Sequence, residues 1–260
     1  MSSGPVATPA SQSLERALEF GRTMLVRTVD EVRPIPAGLV VRTPSLPSVW
    51  SGNQLRATEP LGFADLVDLA KEQLPGIGYL DIAFEHQESG RAVEHAFRNA
   101  SWKVQRDLLM ILSSGPDRVA DTGVVHDAGE DEMMDLMGRW YAEDPGPNPM
   151  ERAQLVEFTR REARVHGDRM LGVRSTDGQL VSMTKLRSDG RTAQVEDVYT
   201  VPEARGRGYA RALVSHAVEL ARKDGAELIF ITADDNDWPK LLYGRIGFRP
   251  VGHVWHFHRE

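Results

Sequence analysis

Residues 198–218 read VYTVPEARGRGYARALVSHAV. The stretch begins with the β-branched and aromatic residues typical of a strand and ends with apolar residues at helical spacing. The bend between strand and helix contains Gly206 and Gly208. Three arginines accompany these glycines: Arg205, Arg207 and Arg211. A strand-to-helix bend leaves backbone N–H groups unpaired at the positive end of the helix dipole, and glycines let an anion approach them, so the bend is predicted to bind phosphate.

The glycines of this bend are also compatible with a plain tight turn that binds nothing. Two well-known phosphate-binding patterns, by contrast, do not fit the residues. The Walker pattern is excluded because no Gly-Lys-Ser/Thr follows the glycines. A Rossmann fingerprint needs Gly or Ala at the last position of G-x-G-x-x-G/A, where this sequence has Arg211.

The composition predicts an ordinary globular protein. The chain has 260 residues, of which 41% are hydrophobic and 27% charged, and its formal net charge is −7. This length favours two domains, although one large domain is an alternative. Net acidity argues against nucleic-acid binding. No apolar run approaches the roughly 20 residues that span a bilayer and no secretory pattern is present, so we expect a cytoplasmic protein that does not bind membranes.

The absence of cysteine limits the chemistry. It excludes disulfides, zinc–thiolate sites and a thiol nucleophile. The short Ser-, Pro- and Ala-rich segment 1–13 is predicted to be a disordered tail. The turn residues at 113–117 are predicted to link two halves, residues 14–115 and 116–260.

Hydrophobic periodicity predicts α+β architecture in both halves. In the second half, two helices at about 130–141 and 149–166 are followed by strands at about 169–174 and 179–187. A third strand, the helix after the bend, and a strand, a helix and a final strand come next. This order indicates a mixed sheet with a central β-α-β crossover.

Two motifs resemble the GNAT superfamily of acyl-CoA-dependent N-acyltransferases. The first is Arg205-x-x-Gly208-x-Ala210 behind the strand end 200–202, and it resembles the family signature Q/R-x-x-G-x-G/A. The second is Asn-x-x-Ala-x-x-Leu-Tyr-x-x-x-Gly-Phe, which this chain meets with the following residues: Asn236, Leu242, Tyr243, Gly247 and Phe248. Pro239 stands where alanine is usual. The resemblance covers about residues 120–260 and implies the GNAT fold.

The resemblance also implies how acetyl-CoA is bound as a co-substrate. The pyrophosphate would lie on the loop amides, within the following residues: Arg205, Gly206, Arg207, Gly208, Tyr209, Ala210 and Arg211. The pantetheine arm would pair with the backbone of Val198, Tyr199 and Thr200 as an added strand. Asn236 would bind its amides. Tyr243 would be the general acid beside the coenzyme sulfur.

Transfer to an amine needs a proton acceptor, an oxyanion stabiliser and a proton donor. Because there is no cysteine and no G-x-S-x-G elbow, we expect direct attack in a ternary complex. Strand residues two apart share a face, so Glu196 is predicted to lie with Val198 and Thr200 and to act as base through water, whereas Asp197 and Tyr199 point away. The alternatives are a solvated carboxylate for Glu196 and a packed side chain for Tyr243.

Metal sites are not predicted. The acidic run 234–237 lacks the Gly and Glu of a calcium loop. His253, His256 and His258 alternate on the final strand without further metal-ligand candidates nearby.

The first half is predicted to be a degenerate copy of the second. With an offset of 146 residues, Phe97 aligns with Tyr243 and Trp102 with Phe248. The first half has no R-x-x-G-x-G/A before this segment, and Phe97 lacks a hydroxyl. We therefore expect it to support the second half, or to help form the acceptor cleft, without binding coenzyme.

The leading hypothesis is an acetyl-CoA-dependent N-acetyltransferase acting on a primary amine. A coenzyme A-binding sensor without turnover and an unrelated nucleotide-phosphate binder are the alternatives. The sequence does not identify the acceptor, which is either a small molecule or a protein amine. A homodimer is compatible with the resemblance. Acidic residues in the early helices either attract a cationic amine or form a solvated face: Glu130, Asp131, Glu132, Glu143 and Asp144.

Overall fold

The computed structural model describes residues 9–260, which form seven α-helices and eleven β-strands. The helices are α1 (Pro9–Thr28), α2 (Phe63–Gln73), α3 (Gln87–Asn99), α4 (Glu130–Tyr141), α5 (Pro149–His166), α6 (Tyr209–Lys223) and α7 (Pro239–Ile246). The strands are β1 (Glu31–Ile35), β2 (Gly38–Arg42), β3 (Gln54–Ala57), β4 (Leu80–Phe84), β5 (Lys103–Leu112), β6 (His126–Asp127), β7 (Arg169–Arg174), β8 (Leu180–Ser188), β9 (Thr192–Thr200), β10 (Leu228–Asp234) and β11 (Phe248–Arg259). The predicted mixed α/β architecture is confirmed.

Local sequence explains where the helices of the second half begin and end. The side chain of Asn148 accepts hydrogen bonds from the N–H groups of Met150 and Glu151, which caps α5. The same helix ends at Gly167, whose φ of +65° is readily adopted by glycine. Helix α6 begins directly after Gly208, at φ +84°.

All eleven strands belong to one sheet, in the order β1-β2-β3-β4-β11-β5-β10-β9-β8-β7-β6. Two neighbouring pairs, β3 with β4 and β9 with β10, are parallel, and each is connected through a helix, α2 and α6 respectively. The other pairs of neighbouring strands are antiparallel.

The strand order is nearly symmetric about the central pair β5 and β11. The first half runs β1-β2-β3-α2-β4-α3-β5, and the second half repeats the same order and pairing as β7-β8-β9-α6-β10-α7-β11. Each half places its last strand beside the other half: β11 lies between β4 and β5, and β5 lies between β10 and β11. The two halves are therefore interlocked.

Helices cover both faces of the sheet. Helices α6 and α7 pack on the second half of one face, and α2 and α3 on the first half of that face. The opposite face is covered by α4 and α5 and by α1, whose apolar side chains contact β10, β5 and β11. The first helix thus bridges the two halves.

Two of the predicted boundaries differ from those in the structure. Of the tail predicted for 1–13, residues 1–8 lie outside the described residues, and residues 9–13 belong to α1, so the prediction is wrong for that part. The predicted linker 113–117 does follow β5, yet it does not separate two sheets, because β5 is paired inside the second half. The division of the chain at residue 115 into two copies of one fold stays a prediction.

Candidate active site

The bend after β9 presents a row of free backbone donors. Gly206 and Gly208 both adopt positive φ, +79° and +84°, as the glycine pair permits. Within residues 9–260, the N–H groups of residues 206–211 have no hydrogen-bond acceptor, and the first bond of α6 runs from Ala212 to Gly208. A Cβ at either glycine would meet no atom within 4 Å. The bend is therefore open to an anion at the helix N-terminus.

The three arginines around the bend differ in their surroundings. Arg205 is held by Glu143, at 2.9 Å, and by the carbonyl of Thr200, at 3.0 Å. Arg211 is buried and its guanidinium lies 2.6 Å from Asp117. Arg207 is exposed and has no carboxylate partner within residues 9–260. Its guanidinium is accordingly the freest to meet a phosphate.

Strands β9 and β10 separate next to the bend. Their pairing extends from Leu228 opposite Thr192 to Ile231 opposite Val195, whereas β9 continues to Thr200. The backbone of 196–200 therefore has an unpaired edge toward β10, as expected. A cavity of about 550 Å³ lies there, and Val198 lines it.

Tyr243 lies at this opening. Its side chain belongs to α7, is 5% exposed and lines the cavity. Its hydroxyl makes no hydrogen bond within residues 9–260, which disfavours a purely packed role. Burial raises the pKa of Tyr243 above its ordinary value, and Asp237 and Asp197 add to the increase. The phenol consequently stays protonated and keeps a hydrogen to donate.

The predicted orientation of β9 is wrong beyond Glu196. A β-bulge interrupts the alternation, since pairing with β8 shifts by one residue and Asp197 adopts φ of +55°. As a result Val198 packs with the apolar side chains under α6, whereas Tyr199 packs with those under α4. Glu196 does not share the face of Val198, and Asp197 lines the cavity instead of pointing away from it.

A family comparison covers this region. The model of the acetyltransferase (GNAT) family matches residues 131–248, which include the bend, Glu196 and Tyr243. The chain is similar to GNAT acetyltransferases over these residues. No curated protein sequence matches the chain.

Solved structures share the fold over most of the chain. A functionally unknown conserved protein from Staphylococcus epidermidis has a TM-score of 0.67 at 12% identity, covering 89% of this chain and 94% of its own. A GCN5-related N-acetyltransferase from Kribbella flavida has a TM-score of 0.59 at 18% identity, covering 97% and 96%. At these identities the similarity concerns the fold.

A buried network of charges lies beside the opening between β9 and β10. Lys185 is fully buried with its Nζ 2.7 Å from Asp197. Arg187 is 3% exposed and lies 2.8 Å from Asp168 and 3.2 Å from Glu196. Burial would lower the pKa of Lys185, but Asp197 raises it above its ordinary value, so the cation persists.

Glu162 of α5 is the part of this network that sequence reasoning missed. Its carboxylate lies 3.6 Å from Arg187 and 3.9 Å from Lys185, and it lines the cavity. Burial raises the pKa of Glu162 to about 7, against the attraction of the two cations. This carboxyl group is therefore poised to exchange a proton near neutral pH. The only sequence signal was the charged pair, Lys185 and Arg187, in a strand whose other residues are apolar or carry a hydroxyl.

Glu196, by comparison, is already engaged. Arg187 contacts one of its oxygens at 3.2 Å, and the amide of Gln194 donates to the other at 2.5 Å. Glu196 and Glu162 thus both contact the guanidinium of Arg187.

The remaining predicted residues are placed as follows. The side chain of Asn236 is exposed just beyond β10. His256 lines the cavity and lies 3.2 Å from Asp107, whereas His258 stacks on Trp50 at 3.4 Å.

Among residues 9–260 no group of three or more metal-ligating side chains occurs. No helix in that range is long and apolar enough to cross a membrane.

Proposed function

We propose that the GNAT domain transfers an acetyl group from acetyl-CoA to the nitrogen of a primary amine. One observation carries the proposal: the free amides of 206–211 follow the unpaired edge of β9, and Val198 on that edge lines the same cavity as Tyr243. The family match to residues 131–248 supports acyl transfer as the reaction type.

The chain's own groups suit each part of the co-substrate. The amides of 206–211 and the guanidinium of Arg207 would hold the pyrophosphate. The backbone of 198–200 would pair with the pantetheine arm as a neighbouring strand does. Asn236, which is exposed just beyond β10, would bind the pantetheine amides. Arg211, which forms an ion pair with Asp117, would stabilise the loop.

Bound acetyl-CoA supplies a thioester: as the amine nitrogen bonds to the carbonyl carbon, the C–S bond breaks and coenzyme A leaves as a thiolate. Tyr243 would donate a hydrogen bond to that sulfur and, late in the step, transfer its phenol proton to the thiolate. Since a thiol titrates near 8.5 and a phenol near 10 or above, full proton transfer is uphill until late in the step. The raised pKa of Tyr243 strengthens this conclusion.

The proton of the attacking amine would pass to the carboxylates around Arg187. Glu196 is retained as a proton acceptor acting through water, and Glu162 is added because its pKa of about 7 keeps it partly ionised near neutral pH. A Lys-like ammonium titrates near 10.4, so its deprotonation by a carboxylate before attack is uphill. The carboxylate would instead accept the proton as the nitrogen bonds to the carbonyl carbon and becomes more acidic.

The first half is proposed to be a degenerate copy that does not bind coenzyme. Its parallel strands do not separate: β3 pairs with β4 through Ala57 and Phe84, and the N–H of Glu85 continues the pairing at 2.9 Å. Phe97, the counterpart of Tyr243, is buried and stacks on Phe257 at 3.9 Å. Strands β3 and β4 therefore stay paired where β9 and β10 separate, and Phe97 offers no hydroxyl.

A thiol-release assay with acetyl-CoA and a panel of amines tests the proposal. Release that depends on the amine supports an enzyme, and binding of acetyl-CoA without release under any amine supports the sensor alternative. Thermal shifts separate the third alternative, because ATP or NAD should then stabilise the protein more than coenzyme A does.

A further inference from the structure

The β-bulge of β9 lies where this strand leaves β10. Pairing with β10 ends at Val195, and two residues later Asp197 adopts φ of +55°. In the pairing with β8, Asp197 and Val198 together oppose Thr184. A bulge bends its strand and increases the local twist. The place and the bend of this bulge therefore account for the opening between β9 and β10.

The residue at positive φ is an aspartate where glycine would be expected. In a common kind of β-bulge glycine occupies this position, because residues with a Cβ are disfavoured at positive φ. Among residues 9–260, Ser101 is the only other residue besides glycine that adopts positive φ. Such a conformation persists where the surrounding structure holds it. The neighbours of Asp197 are accordingly the groups that hold the bulge.

The bulge brings two consecutive carboxylates to one face of β9. Asp197 lies 2.7 Å from Nζ of Lys185, and Glu196 lies 3.2 Å from the guanidinium of Arg187. Lys185 and Arg187 are two residues apart on β8, so they share a face. In a regular strand Glu196 and Asp197 would point to opposite faces, and only one of them could meet these cations. The two ion pairs therefore match the bulged register of β9 and not a regular one.

Burial makes the ion pair of Lys185 and Asp197 the more important of the two. The side chain of Lys185 is fully buried, and that of Asp197 is partly buried. A buried charge that loses its partner destabilises the fold, because it is left where water does not replace the lost attraction. Glu162 and Asp168 are more distant from Nζ of Lys185, each at 3.9 Å. A register that moved Asp197 away would therefore leave Lys185 without its nearest carboxylate.

Two hydroxyl groups of β8 bind the backbone on either side of the bulge. Thr184 Oγ1 donates to the carbonyl of Glu196 at 2.7 Å, and Ser182 Oγ donates to the carbonyl of Tyr199 at 2.8 Å. The side chains of Thr184 and Ser182 are fully buried. Strand β8 lies on the side of β9 that is away from β10. These contacts thus hold β9 to β8 before and after Asp197.

We propose that Lys185 and Asp197 are positioning residues: their ion pair holds the bulge, and the bulge holds the backbone of 198–200 where it receives the pantetheine arm. This inference rests on the proposed binding of acetyl-CoA. Neither side chain has to touch the reacting atoms. Aspartate replaces glycine in the bulge because its carboxylate ties the bulged register to the buried cation of β8. The pair thereby controls acetyl-CoA affinity through the geometry of the backbone.

Two substitutions of Asp197 separate backbone geometry from charge. Asp197→Gly and Asp197→Val both remove the carboxylate, but glycine adopts positive φ readily and a β-branched valine does not. Asp197→Gly should keep the Kd of acetyl-CoA within about threefold of wild type in calorimetry. Asp197→Val should raise this Kd by about tenfold or more. Circular dichroism identifies a variant that has not folded. Equal effects of the two substitutions on the Kd would overturn the inference.

A double substitution tests the ion pair itself. Lys185→Met leaves the carboxylate of Asp197 without its partner and should raise the Kd of acetyl-CoA about tenfold. Adding Asp197→Gly should return the Kd to within about threefold of wild type, because glycine holds the bulge without an ion pair. Arg169→Met is the control, since it breaks an exposed ion pair with Asp224 beside the same sheet and should leave the Kd unchanged.

The outcomes separate this inference from the proposed function. An unchanged Kd in folded Lys185→Met, or no recovery in the double variant, overturns the role of the ion pair and leaves acetyl transfer standing. If Lys185→Met alone does not fold, recovery of both the fold and the affinity in the double variant is the expected rescue, and its absence overturns the inference. A wild-type protein that does not bind acetyl-CoA overturns both the inference and the proposed function.

Discussion

Replacing Tyr243 by phenylalanine removes one oxygen from the proposed reaction centre. The hydroxyl has no hydrogen-bond partner within residues 9–260, and the ring is packed among the apolar side chains under α6. The substitution therefore breaks no protein hydrogen bond and leaves no cavity. We expect the free energy of unfolding to change by less than about 1 kcal/mol.

The catalytic cost should be much larger. A donor aimed at charge that develops in the transition state contributes about 10²–10³-fold to kcat, or roughly 2.7–4 kcal/mol. The same hydroxyl contributes little before the C–S bond breaks, so the Kd of acetyl-CoA should stay within about twofold. Calorimetric titration measures the affinity, and thiol release at saturating amine measures kcat.

Two results would refute this role for Tyr243. One is an equal loss of affinity and turnover in Tyr243→Phe, which would indicate that the hydroxyl binds the ground state. The other is unchanged kcat. A third check uses pH: because burial raises the pKa of Tyr243, wild-type kcat should show no decline attributable to this phenol as the pH rises to about 10.

The other predictions concern the bend, the proton acceptor and the buried network. Gly208→Glu should abolish acetyl-CoA binding in calorimetry, since it adds bulk and negative charge at positive φ beside the free amides; retained affinity would contradict the phosphate site. Wild-type kcat/KM should rise with pH through about pH 7, because the carboxyl group of Glu162 accepts a proton only when it is ionised. Glu162→Gln should remove this rise. An unchanged pH profile in the variant would show that another group accepts the proton of the amine. Lys185→Met should lower the free energy of unfolding by about 3–5 kcal/mol in urea titration, because Asp197 loses its buried partner; a change below 1 kcal/mol would argue against the pair.

Short-range patterns predicted the elements well. Helices at 130–141 and 149–166 and the strands that follow them lie where periodicity indicated, because each is set by neighbouring residues and by local caps such as Asn148. The bend was predicted to be glycine-dependent, and Gly206 and Gly208 do adopt positive φ.

Features that depend on long-range contacts could not be predicted from the sequence. The bulge at Asp197 depends on pairing with β8, so strict alternation placed Glu196 on the wrong face. Strands β5 and β11 pair with each other although they are almost 150 residues apart in the sequence. No local sequence pattern predicts such a pairing. Glu162 acquires its raised pKa only because folding buries it beside Glu196 and Asp197. The charge pattern of a helix surface does not show this.

The central claim is that the free amides after Arg205 hold the pyrophosphate of acetyl-CoA and direct its thioester between β9 and β10. A crystal structure of the protein with acetyl-CoA tests it most directly. The account predicts phosphate oxygens within hydrogen-bond distance of the N–H groups of 206–211 and the sulfur beside the hydroxyl of Tyr243. Acetyl-CoA bound at another surface, or an opening between β9 and β10 that closes on protein side chains, would contradict it.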